Sequence, residues 1–462
     1  MRIAAPARSL GLLVAAAAAC YQTPAAPEQA TEAGSDDAGT DGTVTTTETS
    51  PGTTITASAS DPTASSTSPG TDDTLDPDTG DPTVDPSESS GSADSSGSGE
   101  SACGDGNADP GEFCMPDAPV LLVVGNGATD VVIADLDGGG LDLVSLNIAA
   151  STISLLRNEG DGAFADAEGS TVTDAACRVL AIDGEGDGDV DLVVAGETIT
   201  SLVNDGTGSF TRNDSAGSGF GGCLDHNDLG VLNNDGGPVD VVYSGAYNNS
   251  YAPGVNPGGG WQFGAAEGIG APGEGSSGVT VTELSSDVDN LPDVVVLNQY
   301  YNDGEIYRGN GQGGFVAAGT YVACAGLGQG ARLAATGDLD GDGNTDIVTT
   351  CMQGNFTIAL GNADGTFAAP VEVVYAGAHR PRLADVDLDG DLDLLVTSAT
   401  LERINVYLND GGAPAGRPIQ LDVGGPARSV DVGDLNDDGA VDIVAATTTA
   451  EGGRVVVFFG QP

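Results

Sequence analysis

The stretch DLDGDGNTD spans residues 338–346 and places a carboxylate or an amide at every second position. Gly341 and Gly343 let the backbone bend tightly, so that alternate side chains can point towards one centre. Carboxylates held this close repel one another unless a cation neutralises them. A set of five or more oxygen ligands favours Ca²⁺ over Mg²⁺. The alternative interpretation is a solvated hairpin turn, because Asp and Gly are also common turn residues.

The same pattern recurs along the chain, which decides how this stretch is interpreted. An apolar run leads into an Asp/Gly loop, the loop ends in an aspartate, and a β-branched run such as DIVTT follows. A repeat of about 50 residues fits one four-stranded blade rather than a helical repeat of about 34 residues. The sequence therefore predicts an all-β fold, a seven-bladed β-propeller of antiparallel blades. The seven terminal aspartates are Asp142, Asp191, Asp240, Asp293, Asp346, Asp393 and Asp442.

The two ends of the repeat region predict how the ring closes. The last unit stops after the run GRVVVFFG at residues 453–460 and so lacks an outer strand. The run APVLLVVG at residues 118–125 precedes the first loop and is a surplus strand. We expect this N-terminal strand to complete the C-terminal blade, which also hides an edge that would invite aggregation.

Four of the seven loops keep a full set of oxygen-bearing side chains, and we predict about four structural Ca²⁺ sites there. The expected ligands are Asp183, Glu185, Asp187 and Asp191; Asp338, Asp340, Asp342, Asn344 and Asp346; Asp385, Asp387, Asp389, Asp391 and Asp393; and Asp434, Asn436, Asp438 and Asp442. The other three loops have lost a ligand or a glycine, and we interpret them as structural turns. Their acidic and polar positions are Asp135, Asp137 and Asp142; Asn233, Asp235 and Asp240; and Ser285, Asp287, Asp289 and Asp293.

Charge excludes one class of partner. The chain has 69 acidic residues against 13 basic ones, a net charge of -56, so it lacks the basic surface that nucleic-acid binding requires. Its histidines, His226 and His379, are too few for a zinc site with matching cysteine spacing. No catalytic constellation stands out, because the repeat already accounts for the acidic pairs.

The N-terminal part is organised differently from the repeats. Residues 1–20 resemble a lipoprotein signal peptide, with Cys20 as the lipidated residue; ordinary signal cleavage nearby is the alternative. Residues 21–102 consist mainly of Thr, Ser, Gly, Pro and acidic residues, which predicts a disordered stalk. Residues 103–116 predict a small Cys-rich knot, and residues 117–462 the propeller.

Six cysteines follow Cys20, and an even number in an exported protein predicts disulfides. The pairs closest in sequence are Cys103 with Cys114, Cys177 with Cys223, and Cys324 with Cys351. The sequence leaves the connectivity open.

The repeat region resembles the bacterial FG-GAP/VCBS repeat family, whose relatives include the propeller of integrin α-subunits. The resemblance rests on the Asp loops, on the runs VSLN and VTSA after them, and on hairpins such as RNEGDGAF. It implies a calcium-binding propeller on an outer-membrane or cell-surface lipoprotein, or a secreted protein if the chain is not lipidated. We expect a monomer that binds glycan or protein ligands in adhesion or scaffolding. The alternative that the resemblance implies is a calcium-dependent propeller polysaccharide lyase.

One face of the predicted propeller carries a group of tyrosines. The segments joining the two strands after the loop are long in units three and four, and they lie opposite the acidic loops. Exposed aromatic side chains beside amides suit sugar or protein recognition. The alternative is that some of these side chains pack inward. The candidate residues are Tyr243, Tyr247, Tyr251, Tyr300 and Tyr301, with Tyr307 nearby.

Overall fold

The computed structural model describes residues 108, 110–115, 118–171, 176–218, 228–233, 237–245, 249–256, 260–269, 276–284, 291–324, 330–412, 414 and 416–462. All secondary-structure elements of the described residues are β-strands. The described residues contain no helix that is long and apolar enough to cross a membrane. The predicted signal peptide with Cys20 and the predicted stalk lie outside the described residues.

The strands form seven four-stranded antiparallel sheets, which confirms the predicted blade architecture. The first strand of the chain is β1 (Val120–Val124). Blade 1 contains β2 (Ala128–Ala134), β3 (Asp142–Asn147), β4 (Thr152–Leu156) and β5 (Glu168–Thr171). Blade 2 contains β6 (Arg178–Ile182), β7 (Asp191–Ala195), β8 (Thr198–Asn204) and β9 (Phe210–Ser218).

Blade 3 carries an insertion between its third and fourth strands. Its sheet contains β10 (Leu229–Leu232), β11 (Asp240–Ser244), β12 (Asn249–Ala252) and β15 (Glu267–Ile269). The insertion is a two-stranded hairpin of β13 (Gly254–Val255) and β14 (Gln262–Phe263). Blade 4 contains β16 (Ser276–Thr282), β17 (Asp293–Asn298), β18 (Asp303–Gly309) and β19 (Phe315–Val322).

The remaining blades follow the same strand order. Blade 5 contains β20 (Ala331–Gly337), β21 (Asp346–Cys351), β22 (Phe356–Ala359) and β23 (Val371–Val373). Blade 6 contains β24 (Ala378–Ala384), β25 (Asp393–Ser398), β26 (Arg403–Tyr407) and β27 (Ile419–Asp422). Blade 7 combines β28 (Ser429–Gly433), β29 (Asp442–Thr449) and β30 (Gly452–Phe458) with β1.

The ring closes as the sequence predicts. Strand β1 pairs antiparallel with β30, in a register that runs from Val120 opposite Val457 to Val124 opposite Gly453. The N-terminal strand thus supplies the outer strand of the last blade. All seven terminal aspartates stand at the first position of the second strand of their blade.

The apolar core lies between neighbouring blades. Second strands such as β21 are buried along their whole length, because they have a neighbouring strand on each edge and a neighbouring blade on each face. Val144 of blade 1, for example, lies in one buried cluster with Val179 and Val194 of blade 2. This arrangement leaves the inner strands around a central channel and the strand connections on two opposite faces.

One predicted disulfide is confirmed. Cys324 and Cys351 are bonded, and they link the end of blade 4 to the second strand of blade 5. Cys114 and Cys177 are also disulfide-bonded, whereas Cys103 and Cys223 lie outside the described residues. Within the predicted knot, the Gly111 amide donates to the carbonyl of Asp387 at 2.7 Å, and the Gln461 amide donates to the carbonyl of Cys114 at 2.9 Å. These contacts attach the knot to blades 6 and 7.

Candidate metal centres and the opposite face

The terminal aspartate of each loop joins two parts of its blade. In blade 5, Asp346 Oδ2 accepts a hydrogen bond from the Leu339 amide, and Oδ1 accepts one from the Gly361 amide, each at 2.7 Å. The first amide belongs to the acidic loop and the second follows the third strand. The corresponding aspartates of five other blades accept the same pair of bonds, namely Asp142, Asp191, Asp293, Asp393 and Asp442. The terminal aspartate therefore has a structural role without any ion.

Blade 3 holds its terminal aspartate in another way. Asp240 Oδ1 accepts a hydrogen bond from the Gly254 amide at 2.7 Å, but Oδ2 accepts from the Tyr251 hydroxyl at 2.9 Å. The tyrosine thus supplies a side-chain donor to the terminal aspartate in a blade whose acidic loop has lost the usual pattern. In that loop Asn233 donates to the carbonyl of Gly237, and Asp235 lies outside the described residues.

Three acidic loops bring three carboxyl groups together, with one oxygen of each group within 4.8 Å of the others. Two of them are predicted calcium loops, and they contribute Asp338, Asp340 and Asp346, and Asp385, Asp387 and Asp393. The third consists of Asp135, Asp137 and Asp142, which we interpreted from the sequence as a turn. There the Arg157 Nη1 atom lies 2.7 Å from Asp137 Oδ2, so a guanidinium already supplies positive charge.

Buried oxygens in the predicted loops fit a hard cation. Glu185 Oε2 and Asp385 Oδ1 are buried and have no hydrogen-bond partner among the described residues. Burial raises the pKa of Glu185 to about 7, and the carboxylates of Asp191, Asp187 and Asp183 add to that shift. Burial likewise raises the pKa of Asp393 and of Asp442 to about 7. A divalent cation would satisfy such oxygens and offset the repulsion between these charges.

Several predicted ligands are engaged elsewhere in their own loops. Asp342 Oδ1 accepts from the Asn344 amide and Oδ2 from the Asn344 side chain, both at 2.8 Å. Asp389 Oδ1 accepts from the Asp391 amide at 2.9 Å. In the remaining two predicted loops, Asp187 accepts from the Asp189 amide, and Asp438 accepts from the Asn436 side chain and the Ala440 amide. These carboxylates cap loop donors in the described conformation.

In the loops at residues 183–191 and 434–442, the first carboxylate also accepts hydrogen bonds from backbone amides. Asp183 receives three such bonds, from Gly186, Asp187 and Gly188. Asp434 receives two, from Asp438 and Gly439. Neither loop is among the three groups of converging carboxyl oxygens. Of the loop that ends at Asp293, residues 285–290 lie outside the described residues, including Ser285, Asp287 and Asp289.

The tyrosines divide into two groups, and the expectation of exposure is wrong for part of them. Tyr243 belongs to the second strand of blade 3 and Tyr251 to the third. Both are buried, because their side chains pack in the apolar core. Tyr307 is buried as well. Tyr300 and Tyr301 are 70% and 60% exposed in the connection between β17 and β18. Tyr247 lies outside the described residues.

Two structural features went unnoticed in the sequence. The first is an asparagine that stands at the end of the third strand, or two residues after it, in three blades. Its signal in the sequence is the hairpin runs RNEG, VNDG and LNDG. Its side-chain amide donates to a carbonyl of its own blade and to one of the preceding blade, for Asn158, Asn204 and Asn409.

The second feature is Trp261, which the insertion of blade 3 delivers against the loop of blade 2. A Cβ atom at Gly184 would lie 2.0 Å from the Trp261 ring, so only glycine fits at this loop position. The other loops place a buried apolar residue here, such as Leu339 or Leu435. The lone tryptophan of the chain therefore fills the space that a leucine occupies elsewhere.

Comparison with family models agrees with this architecture. The family model for the FG-GAP-like repeat matches residues 286–349, 338–396 and 385–445. No curated protein matches the chain. Among solved structures, the crystal structure of BBS1N in complex with ARL6DN, soaked with lead, is similar at 12% identity and a TM-score of 0.47. That match covers 76% of this chain and 97% of the other. The mercury-soaked crystal of the same complex gives 11% identity, a TM-score of 0.48 and coverages of 75% and 97%.

The three matched segments overlap, and each runs from one acidic loop to the next, which is the period read from the sequence. The strand order of the blades carries the same period through residues that no match covers. The chain folds as a seven-bladed β-propeller, and it contains FG-GAP-like repeats across residues 286–445.

Proposed function

We propose that this propeller is a calcium-stabilised module that binds glycan or protein ligands at the surface of a bacterial cell. The observation that carries the proposal is the exposure of two adjacent aromatic side chains, Tyr300 and Tyr301, at 70% and 60%. Most tyrosines of a folded domain bury much of their ring, so such a pair on the surface is a candidate contact for a ligand.

The turn that carries these tyrosines is held firmly. Asn302 follows them with a φ of 59°, in the left-handed region that suits asparagine. Its carbonyl accepts hydrogen bonds from the amides of Ala323 and Cys324, at 2.9 and 3.1 Å. Its side-chain oxygen accepts from the Gly330 amide at 2.6 Å. Because Cys324 is bonded to Cys351, the turn is anchored to both blade 4 and blade 5.

A rigid aromatic turn suits recognition on physical grounds. Little backbone entropy is lost when a ligand docks on a turn whose backbone is already held by hydrogen bonds. Tyrosine offers an apolar ring face for stacking and a hydroxyl for hydrogen bonding, which fits a sugar or a protein surface. The net charge of -56 disfavours strongly anionic ligands, so we propose neutral or basic ones.

Calcium has a supporting role in this proposal. The converging carboxylates of Asp338, Asp340 and Asp346 would hold one ion, and those of Asp385, Asp387 and Asp393 another. The loops at residues 183–191 and 434–442 would rearrange their carboxylates to hold two more. A bound Ca²⁺ supplies positive charge that offsets carboxylate repulsion and ties the loop to the blade. These loops lie opposite the tyrosine turn, so the ion stabilises the fold rather than contacting the ligand.

The proposed location follows from the N-terminal sequence. Cys20 would be lipidated in the outer membrane, and residues 21–102 would act as a stalk that holds the propeller away from the surface. We propose a monomer whose contact with the membrane is the lipid anchor alone.

A glycan array that compares the wild-type protein with the double variant Tyr300→Ala, Tyr301→Ala tests the ligand surface. We expect the wild type to bind a subset of glycans and the double variant to lose at least about tenfold in affinity, as for removal of an aromatic anchor. Val374→Ala serves as the control, since Val374 is 81% exposed on blade 5. All three proteins should melt alike. Equal binding by the double variant, or cleavage of a polysaccharide, would contradict the proposal.

A further inference from the structure

The central channel of the propeller contains charged side chains that the proposed function does not use. The inner strands surround a cavity of about 520 Å³. Charged residues are rare inside proteins, yet several line this cavity with little exposure. The largely buried ones are Asp130, Arg178, Asp228, Arg380 and Asp431, and the half-exposed Arg382 pairs with Asp431 at 2.9 Å.

Arg178 is fully engaged with two carboxylates. Its Nη1 atom lies 2.7 Å from Asp130 Oδ2. Its Nε and Nη2 atoms lie 3.1 and 3.0 Å from Asp228 Oδ1. Both edges of this guanidinium therefore have a counter-charge, as a buried arginine requires.

Arg380 is engaged on one side only. Its Nη1 atom lies 3.3 Å from Asp228 Oδ1, the oxygen that Nε and Nη2 of Arg178 already contact. Its Nε atom is buried and has no hydrogen-bond partner among the described residues. The edge formed by Nε and Nη2 is the one that pairs with a carboxylate in a two-pronged contact. In Arg380 this edge is unused by the described part of the chain.

The surroundings of Arg380 favour an additional anion. Burial lowers the pKa of its guanidinium, and the nearby positive charge of Arg178 lowers it further. Asp228 and Asp130 offset this only in part, because Arg178 shares both carboxylates. An anion beside Arg380 would give this guanidinium a carboxylate that it does not share with Arg178, in a site of low dielectric constant.

We propose that the central channel binds a small monocarboxylic acid, whose carboxylate pairs with the guanidinium of Arg380. The planar fork of an arginine matches the two oxygens of a carboxylate in geometry and in charge. A cavity of about 520 Å³ suits a small organic molecule. A single charge is favoured over several because the chain as a whole carries -56.

Apolar side chains form part of an otherwise polar cavity wall and suit an apolar body attached to the carboxylate. Leu180, Val231 and Ala334 line the cavity from three different inner strands, and each is half-buried. These side chains would remove apolar ligand surface from water, and a bare inorganic ion has no such surface. An aromatic or short aliphatic acid therefore fits the channel better than phosphate does.

Titration calorimetry of the full chain with sodium benzoate at constant ionic strength tests this site. We expect saturable binding of one benzoate per chain, and no binding of the neutral analogue benzamide. Arg380→Lys keeps the positive charge but removes the fork, and we expect it to weaken benzoate binding at least about tenfold. Arg403→Lys is the matched control on the outside of blade 6, where Arg403 pairs with Gln420, and it should bind as the wild type does.

Sodium phosphate in place of benzoate distinguishes an organic acid from an inorganic oxyanion. Phosphate should bind more weakly than benzoate, because it gains nothing from the apolar wall. The proposal is overturned if benzoate shows no saturable binding to the wild type, if benzamide binds equally well, or if phosphate binds more tightly. Unchanged affinity of a folded Arg380→Lys variant would also overturn it. The benzamide comparison uses the wild type alone, so it holds even if the variant does not fold.

Discussion

Asn158 Nδ2 lies 2.7 Å from the carbonyl oxygen of Leu435, and this hydrogen bond joins blade 1 to blade 7 across 277 positions of the chain. The same contact links blade 2 to blade 1, where Asn204 Nδ2 lies 2.8 Å from Leu136 O. It also links blade 6 to blade 5, where Asn409 Nδ2 lies 2.7 Å from Leu339 O. In each case the amide of the same leucine donates to the terminal aspartate of its own blade. One loop residue thus connects the aspartate of one blade to the asparagine of the next.

Replacing Asn158 tests whether this contact stabilises the closed ring. Asn158→Ala leaves the carbonyls of Leu141 and Leu435 without their side-chain donor. An unsatisfied buried polar group costs about 1–3 kcal/mol, so we expect the free energy of unfolding to fall by that amount. Denaturant unfolding measures it. The exposed turn residue Asn362, which donates to Thr366, is the control, and Asn362→Ala should change stability by less than about 0.5 kcal/mol. Equal effects of the two variants would show that the contact between blades contributes nothing.

The buried hydroxyl of Tyr251 gives a second prediction. Tyr251→Phe keeps the edge-to-face contact with Phe315 but removes the donor to Asp240 Oδ2. A buried carboxylate oxygen then loses a hydrogen bond, and we expect a loss of about 1–3 kcal/mol in thermal or denaturant unfolding. Tyr301→Phe removes a hydroxyl from an exposed side chain and should leave stability unchanged. A Tyr251→Phe protein as stable as the wild type would mean that Asp240 does not need the tyrosine hydroxyl.

The sequence predicts the fold better than it predicts the surroundings of single side chains. Period and turn chemistry are local properties, so they place all seven terminal aspartates at strand starts and identify the strand that closes the ring. The tyrosines are different, because burial depends on which blade lies next to the segment. Tyr251 and Tyr300 stand in similar runs of tyrosine and asparagine, yet one is buried and the other is 70% exposed.

The acidic loops show the same limit. A spacing rule selects carboxylates on alternate positions, but it cannot predict which amides compete for their oxygens. Asp342 therefore counts as a ligand in the sequence and caps Asn344 in the structure. The rule also cannot predict a cation that is distant in sequence, such as Arg157, which contacts Asp137 from 20 positions away.

Calcium dependence separates the ion-binding role of the loops from the structural role of their terminal aspartates. Asp340→Ala and Asp387→Ala each remove a converging carboxylate but leave Asp346 and Asp393 in place. At millimolar Ca²⁺ each occupied site adds about 1 kcal/mol to the free energy of unfolding. We therefore expect the double variant, which carries both substitutions, to lose the stabilisation that Ca²⁺ provides at these two sites. In chelator it should be at least as stable as the wild type, because fewer carboxylates repel one another.

Thermal melts with Ca²⁺ and with chelator measure both effects. Asp364→Asn is the control, since Asp364 is exposed and caps Thr366 in a turn away from the converging carboxylates. Its calcium response should equal that of the wild type. Superimposable melts of the wild-type protein in the two buffers would rule out calcium as a stabilising ion.

Leu388 occupies a backbone conformation that glycine adopts in the equivalent loops. Its φ is 61°, and Gly186 and Gly341 stand at the same loop position with φ of 77° and 71°. The left-handed region costs a residue with a side chain about 1–2 kcal/mol, more than the entropy that a glycine loses on folding. Since Leu388 is also 38% exposed, we expect Leu388→Gly to raise the free energy of unfolding by about 0.5–1 kcal/mol. Denaturant unfolding in chelator measures this without a contribution from ion binding. Val371→Gly in the exposed strand β23 should instead lower stability by about 0.5–1 kcal/mol, and a loss of stability in both variants would show that Leu388 is not strained.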